Sequence, residues 1–200
     1  MSSPTRWAGV PLTDRRTERR ALLVKAAFAL FGEGGEFAVT VRSVCRESEL
    51  NSRYFYESFA GTDELLGAVY DHVVMQLGNA VSAAMAAAGD DRHARIRAGI
   101  RELLVFSSEE PRRGQLLFTD ARANSVLTER RWATQEVLYR LVIREDSRLD
   151  ADTDTIAAKV AAALFTGAMA ELVSQWLLGT LGTDVEAVTD YTVKRVLIRA

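Results

Sequence analysis

The sequence predicts an all-α protein in which a small N-terminal tri-helical helix-turn-helix domain precedes a larger helical bundle. Apolar residues recur at three- and four-residue spacing nearly throughout. Only three of the 200 residues are Pro, at positions 4, 11 and 111, and Ala is frequent, which favours long helices and short connections. No run of alternating apolar residues is long enough for a strand.

Each element has its own signal. Asp14–Phe31 carries Leu23, Ala26, Ala27, Leu30 and Phe31 at helical spacing, and the cluster GEGG at 32–35 stops the helix. Thr40 is a good N-cap for a short helix to about Glu47, and Asn51 for a second one reaching Phe59. Gly61-Thr62, with Asp63 and Glu64 in the first turn, opens a long helix to Ala88, which Gly89 ends. Further helices are expected over roughly 91–106, 110–122, 125–145, 153–179 and 184–199. Pro111 suits a first turn, Asn124 a cap, and Thr183 with Glu186 a capping box.

Composition narrows the function. Hydrophobic residues make up 48% and charged residues 26%, which argues against disorder. The single Cys45 excludes an internal disulfide framework and a cysteine zinc site, and fits a reducing cytoplasm. His72 and His93 are the only histidines, and no cluster has metal spacing, so neither a metal nor another cofactor is expected. No phosphate-cradling glycine loop or nucleophile elbow is visible, which argues against an enzyme. Met1–Leu12 lacks the apolar core of a signal peptide. The most apolar run, Val160–Ala170, is too short to span a bilayer, so no membrane role is expected. The net charge of −2 is unevenly spread: residues 1–60 carry nine Lys/Arg against seven Asp/Glu. Arg15, Arg16, Arg19, Arg20 and Lys25 share one helical run, which is either a solvated face or the footprint of an anionic partner.

The stretch SVCRESELNSRYFYESF, residues 43–59, is the most informative. On a helical wheel Phe55 and Phe59 share one face, Arg53 and Glu57 lie nearly opposite, and Tyr54 and Tyr56 flank them. Two such short helices need the first helix as a third wall, which leaves the outer face of the last one free for a major groove. Asn51, Ser52 and Arg53 then lie where recognition helices reach base edges, and Arg suits guanine. Tyr56 can donate to a phosphate, Thr40 can seat one, and Arg42 can reach a phosphate or a base. Alternatively, the tyrosines only pack and Arg53 only pairs with Glu57.

The segment LFGEGGEFAVTVRSVCRESELNSRYFYESFAGTDELL, residues 30–66, resembles the DNA-binding region of the TetR family of bacterial transcriptional regulators. The shared frame is Leu30-Phe31, Gly35, Thr40-Val41-Arg42, Val44, Arg46-Glu47, Leu50, Phe55-Tyr56 and Phe59, then an acidic cap and Leu65. The resemblance implies a repressor in which Thr40 and Tyr56 hold phosphates while Arg42, Ser52, Arg53 and Tyr54 face bases. The departures are Glu49 at the family's turn glycine, Thr62 for a lysine, Ser58 for a frequent histidine, and Glu57 on the DNA face. They imply a binder driven less by salt and more by base contacts.

By the same resemblance, residues 1–12 are a flexible N-terminal arm, 13–60 the DNA-binding domain, and 61–200 a ligand-binding and dimerisation domain. A stripe of small residues, Ala163, Gly167, Ala170 and Ser174, lets another helix approach. Val185, Val188, Thr192 and Val196 give the last helix a face. These two helices are the expected homodimer interface on a palindromic operator, the alternative being that both faces pack within the subunit. The resemblance also implies a hydrophobic small-molecule effector in a pocket lined by Met75, Phe106, Phe118, Trp132, Tyr139, Phe165 and Met169, with Gln135 and Glu171 as anchors, each otherwise ordinary core. The alternative is a helical dimer that binds ligand or protein and has lost sequence-specific DNA binding.

Overall fold

A glycine with positive φ ends the first helix later than its flanking glycines suggest. In this computed structural model α1 runs Leu12–Gly34, through Gly32 and Gly34, and stops only at Gly35, φ 64°. Gly35 occupies a left-handed backbone that a side chain would strain. The structure describes residues 6–7, 10–119, 124–146 and 156–197, and two compact units divide the chain, Met1–Asp71 and His72–Ala200. The side chains of Tyr139 and Val196 lie outside the described residues.

In the first unit β1 (Arg6–Trp7) and β2 (Val10–Pro11) pair antiparallel, Arg6 with Pro11 and Trp7 with Val10. Two residues a side are too short to leave an alternating signature, so pattern reading passes over them. A 3-10 turn, Glu36–Ala38, leads to α2 (Val41–Glu47) and α3 (Ser52–Ser58). Thr40 caps α2 reciprocally: its hydroxyl accepts from Ser43 N, and Ser43 Oγ accepts from Thr40 N at 2.9 Å. Asn51 Oδ1 accepts from Tyr54 N at 3.1 Å at the start of α3. Leu23, Ala26, Ala27, Leu30 and Phe31 of α1, Val44 of α2, Phe55 of α3 and Phe59 are all buried where α1 packs on the two short helices. Leu65, Leu66, Val69 and Tyr70, from the start of α4 (Thr62–Ala87), are also buried.

The turn between α2 and α3 shows what replaces the expected glycine. Leu50 N donates to Cys45 O at 3.1 Å and Glu49 N to Arg46 O at 3.4 Å. This paired pattern requires a left-handed residue. That residue is Glu49, at φ 56° the only non-glycine with positive φ among the described residues. A left-handed side chain costs about 1–2 kcal/mol and a glycine gives back about 0.5–1 kcal/mol in chain entropy. Glu49→Gly should therefore stabilise this unit by about 0.5–1 kcal/mol in chemical denaturation.

The second unit holds the rest of α4 with α5 (Arg92–Glu109), α6 (Pro111–Gly114), α7 (Ser125–Asp146), α8 (Ile156–Leu177) and α9 (Val185–Leu197). The helix expected over 110–122 breaks after α6 into a π-helical turn, Gln115–Thr119. In this widened turn the adjacent Leu116 and Leu117 are both buried. At Gly114 an added Cβ would collide with Leu177 Cδ1 of α8 and stand 3.1 Å from Ser107 O of α5. The core joins Ile100 and Leu104 of α5, Met169 and Val173 of α8, and Val193 of α9. Val185 and Val188 pack against it, so that part of the α9 face is taken up within the chain. The small-residue stripe also divides, with Ala163 and Gly167 exposed and Ser174 buried. Lys159–Leu177 is long and apolar enough to cross a bilayer by length and composition, a longer apolar stretch than Val160–Ala170, and only 22% of it is buried.

The α9 start differs from the expected capping box. Asp184, not Thr183, caps it, its Oδ1 accepting from Glu186 N and Ala187 N at 3.0 Å. Glu186 instead receives Arg101 Nε at 2.6 Å and Arg97 Nη2 at 2.7 Å, while Arg97 Nε reaches Asp190 at 2.8 Å. Hydrogen bonds from Arg101 and then Arg97 hold the Glu186 carboxyl below its ordinary value. A depressed carboxylate lends stability that is complete above its unfolded pKa, about 4.3 for a free Glu, and lost as pH falls through the folded value. Glu186→Gln should remove this acid-sensitive part, so the melting temperature of the variant falls less than that of wild type between about pH 7 and about pH 3.

Candidate nucleic-acid interface

The outer surface of the α2–α3 pair is built by what lies beneath it. Phe55 is fully buried, with its ring 6.1 Å from that of Phe59 and 5.4 Å from that of Tyr56. With that edge of α3 fixed inward, the rest of the short helix faces out. Asn51, Ser52 and Arg53 are exposed at its N-terminal turn, and the Arg53 side chain is 83% exposed. Tyr56 is 61% exposed and Tyr54 half-buried. Thr40 and Arg42 are exposed at the start of α2. All seven positions expected to touch DNA thus belong to one helix-turn-helix unit, and six of them are exposed.

Arg53 is not free of protein partners. Its Nε donates to Glu57 Oε1 at 3.0 Å, the i,i+4 pair that the spacing allowed. The terminal nitrogens of the same guanidinium are the ones that a guanine edge would engage.

The basic run of α1 turns towards the domain. Arg16 Nη2 donates to Glu57 O and Arg20 Nη1 to Ser58 O, both at 2.8 Å. These carbonyls sit at the C-terminal end of α3, where backbone acceptors lack helical partners and a cation is favoured. The Arg20 guanidinium lies 4.0 Å over the Phe59 ring, and that of Arg19 4.4 Å over Tyr54. Arg19 Nη2 also stands 3.8 Å from Glu57 Oε2. Local spacing marked these arginines as a basic face; it held no signal for partners 38 and 41 residues away.

The residues expected to hold an effector divide. Phe118, Phe165 and Met169 come together around the core of the second unit, as does Trp176. Phe106 is buried beneath the Arg113 guanidinium at 4.6 Å. Met75 and Trp132 are exposed, Gln135 is half-buried, and Glu171 is exposed and accepts from Gln175 at 2.8 Å. Tyr139 lies outside the residues whose side chains are described. The Trp176 indole nitrogen and the hydroxyl of the fully buried Thr189 have no hydrogen-bond partner among the described residues. No group of three or more His, Cys, Asp or Glu among those residues could hold a metal ion.

Comparison with known proteins places this geometry. Residues 23–69 match the family described as bacterial regulatory proteins, tetR family. A stretch of 73 residues is 36% identical to an HTH-type transcriptional repressor of Mycobacterium tuberculosis (strain ATCC 25618 / H37Rv), covering 34% of this chain and 39% of that protein. The matched segment thus spans about two-fifths of the relative's length. The fold is shared more widely. A transcriptional regulator from Rhodococcus sp. superposes with a TM-score of 0.73 at 19% identity, over 90% of this chain and 97% of that one. FadR from Bacillus subtilis, solved in complex with stearoyl-CoA, does so at 0.69 and 12%, over 88% and 97%. Residues 23–69, which include the helix-turn-helix unit, thus resemble the tetR family of bacterial regulatory proteins.

Proposed function

We propose that this chain regulates transcription in the cytoplasm as a repressor, binding a palindromic DNA operator as a homodimer and leaving it when a hydrophobic small molecule binds. The observation that carries the reading is the anchored α3, with Phe55 buried beneath an exposed Asn51-Ser52-Arg53 turn. Thr40 and Tyr56 are assigned to phosphates, and Arg42, Ser52, Arg53 and Tyr54 to base edges.

Dimerisation is assigned to α8 with α9. Ile156, Val160 and Leu164 are exposed along α8 beside Ala163 and Gly167, while Ala162, Met169 and Val173 are buried. A helix with one side in its own core and an apolar, small-residue side uncovered suits a second copy of itself. The effector is assigned to the second unit, around Phe118, Phe165, Met169 and Trp176, with the unsatisfied Trp176 nitrogen and Thr189 hydroxyl as polar handles. The stearoyl-CoA bound to the B. subtilis FadR of the same fold supports a long apolar ligand class.

The test is selection of bound sequences from random duplexes. A palindromic consensus is the expected result, and failure to enrich any sequence would favour a dimer without sequence-specific DNA binding. Arg53→Ala should relax one base in each half-site by about 1–3 kcal/mol, whereas Tyr56→Phe should weaken all sequences alike. Band retardation on the selected duplex and its single-base variants reads both.

A further inference from the structure

The Glu57 carboxylate lies between two arginines of different helices. One oxygen accepts from Arg53 Nε at 3.0 Å, and the other faces Arg19 Nη2 at 3.8 Å. Arg19 is itself fixed, its guanidinium 4.4 Å over the Tyr54 ring and its side chain 25% exposed. The backbone carbonyl of Glu57 is held independently by Arg16 Nη2 at 2.8 Å. Arg16 therefore fixes where the end of α3 lies, while Arg19 acts on the side chain that aims Arg53.

An arginine on a short exposed helix has many rotamers, and ordering it costs free energy that base recognition must recover. Glu57 restricts Arg53 by gripping Nε and leaves the terminal nitrogens for a base edge. A lone carboxylate at i+4 on an exposed surface is a weak clamp, since such pairs contribute little. A second cation on the opposite oxygen, stacked on an aromatic ring, restricts the carboxylate in turn.

We infer that Arg19 of α1 is a specificity-determining positioning residue, acting through Glu57 on Arg53. The inference rests on the reading of α3 as the element that faces bases. It gives Glu57, a negative charge on the DNA face, a use: attraction to phosphate is weakened in exchange for a fixed Arg53.

Selection from random duplexes with the full-length chain tests it, using wild type and the variants Arg19→Ala, Glu57→Gln, their double mutant, Arg16→Ala and Arg53→Ala. Arg19→Ala and Glu57→Gln should each reduce discrimination about five- to tenfold at the one base whose preference Arg53→Ala abolishes, leaving other positions unchanged. The double mutant should lose no more than Glu57→Gln alone. Arg16→Ala, which loses only a carbonyl contact, should lower the melting temperature with an unchanged base profile. Wild-type profiles for both Arg19→Ala and Glu57→Gln overturn the inference, as does loosening at every base together with a lower melting temperature. If Arg19→Ala does not fold, Glu57→Gln carries the test from the other end of the contact. Absence of any wild-type consensus would refute the DNA-binding reading itself, and this shows before any variant is compared.

Discussion

Phe55→Ala is expected to cost the N-terminal unit about 3–5 kcal/mol, most of the margin by which a small domain stays folded. The ring is fully buried and packs on Phe59 and Tyr56, while α3 is only seven residues long. A helix of this length has no stability of its own, so tertiary packing alone holds it in place. Losing the ring leaves a cavity on the side that anchors the outward-facing turn. Chemical denaturation followed by circular dichroism should show the early loss of this unit, and retardation of the selected duplex should disappear. Phe37→Ala is the matched control. That ring is 88% exposed, so its removal should shift stability by less than about 0.5 kcal/mol.

Leu164→Glu should convert the proposed dimer to monomers. Leu164 is 60% exposed on the uncovered side of α8, between Val160 and Gly167. In a two-fold interface a single substitution enters twice, placing two carboxylates in an apolar seam. A penalty of about 3 kcal/mol raises the dissociation constant more than about a hundredfold. Sedimentation equilibrium should show the mass halved, with helix content unchanged because the side chain is outside the subunit core. Binding to a palindrome should fall with it, since each half-site then binds separately. A variant that sediments as a dimer would remove α8 from the interface.

The parts legible in the sequence were those governed by neighbours along the chain. Thr40 and Asn51 cap α2 and α3 as their spacing implies, and Phe55 and Phe59 turn inward from a single helical face. Glu49, which stands where the resemblance led one to expect a glycine, adopts the left-handed backbone of that turn. What escaped was decided by partners far along the chain. The spacing of the α1 arginines offered either a solvated face or a footprint for an anionic partner and gave no sign that Arg16 and Arg20 close the end of α3 or that Arg19 stands over Tyr54. Glu186 had the right spacing for a capping box and was drawn away by Arg97 and Arg101 of α5. Local spacing says where a charge can reach along its own helix and nothing of which helix will lie alongside. The helix expected over 110–122 failed differently: neither Gly114 nor its neighbours announce a π turn.

The missing side chain at Gly114 has a mechanical consequence. The methyl groups of Leu177 of α8 occupy the space where a Cβ would stand, and the Ser107 carbonyl borders the same space at 3.1 Å. Because those methyl groups take up this space, a methyl side chain at 114 would have to displace the end of Leu177, and the approach of α6 to α8 depends on the residue being glycine.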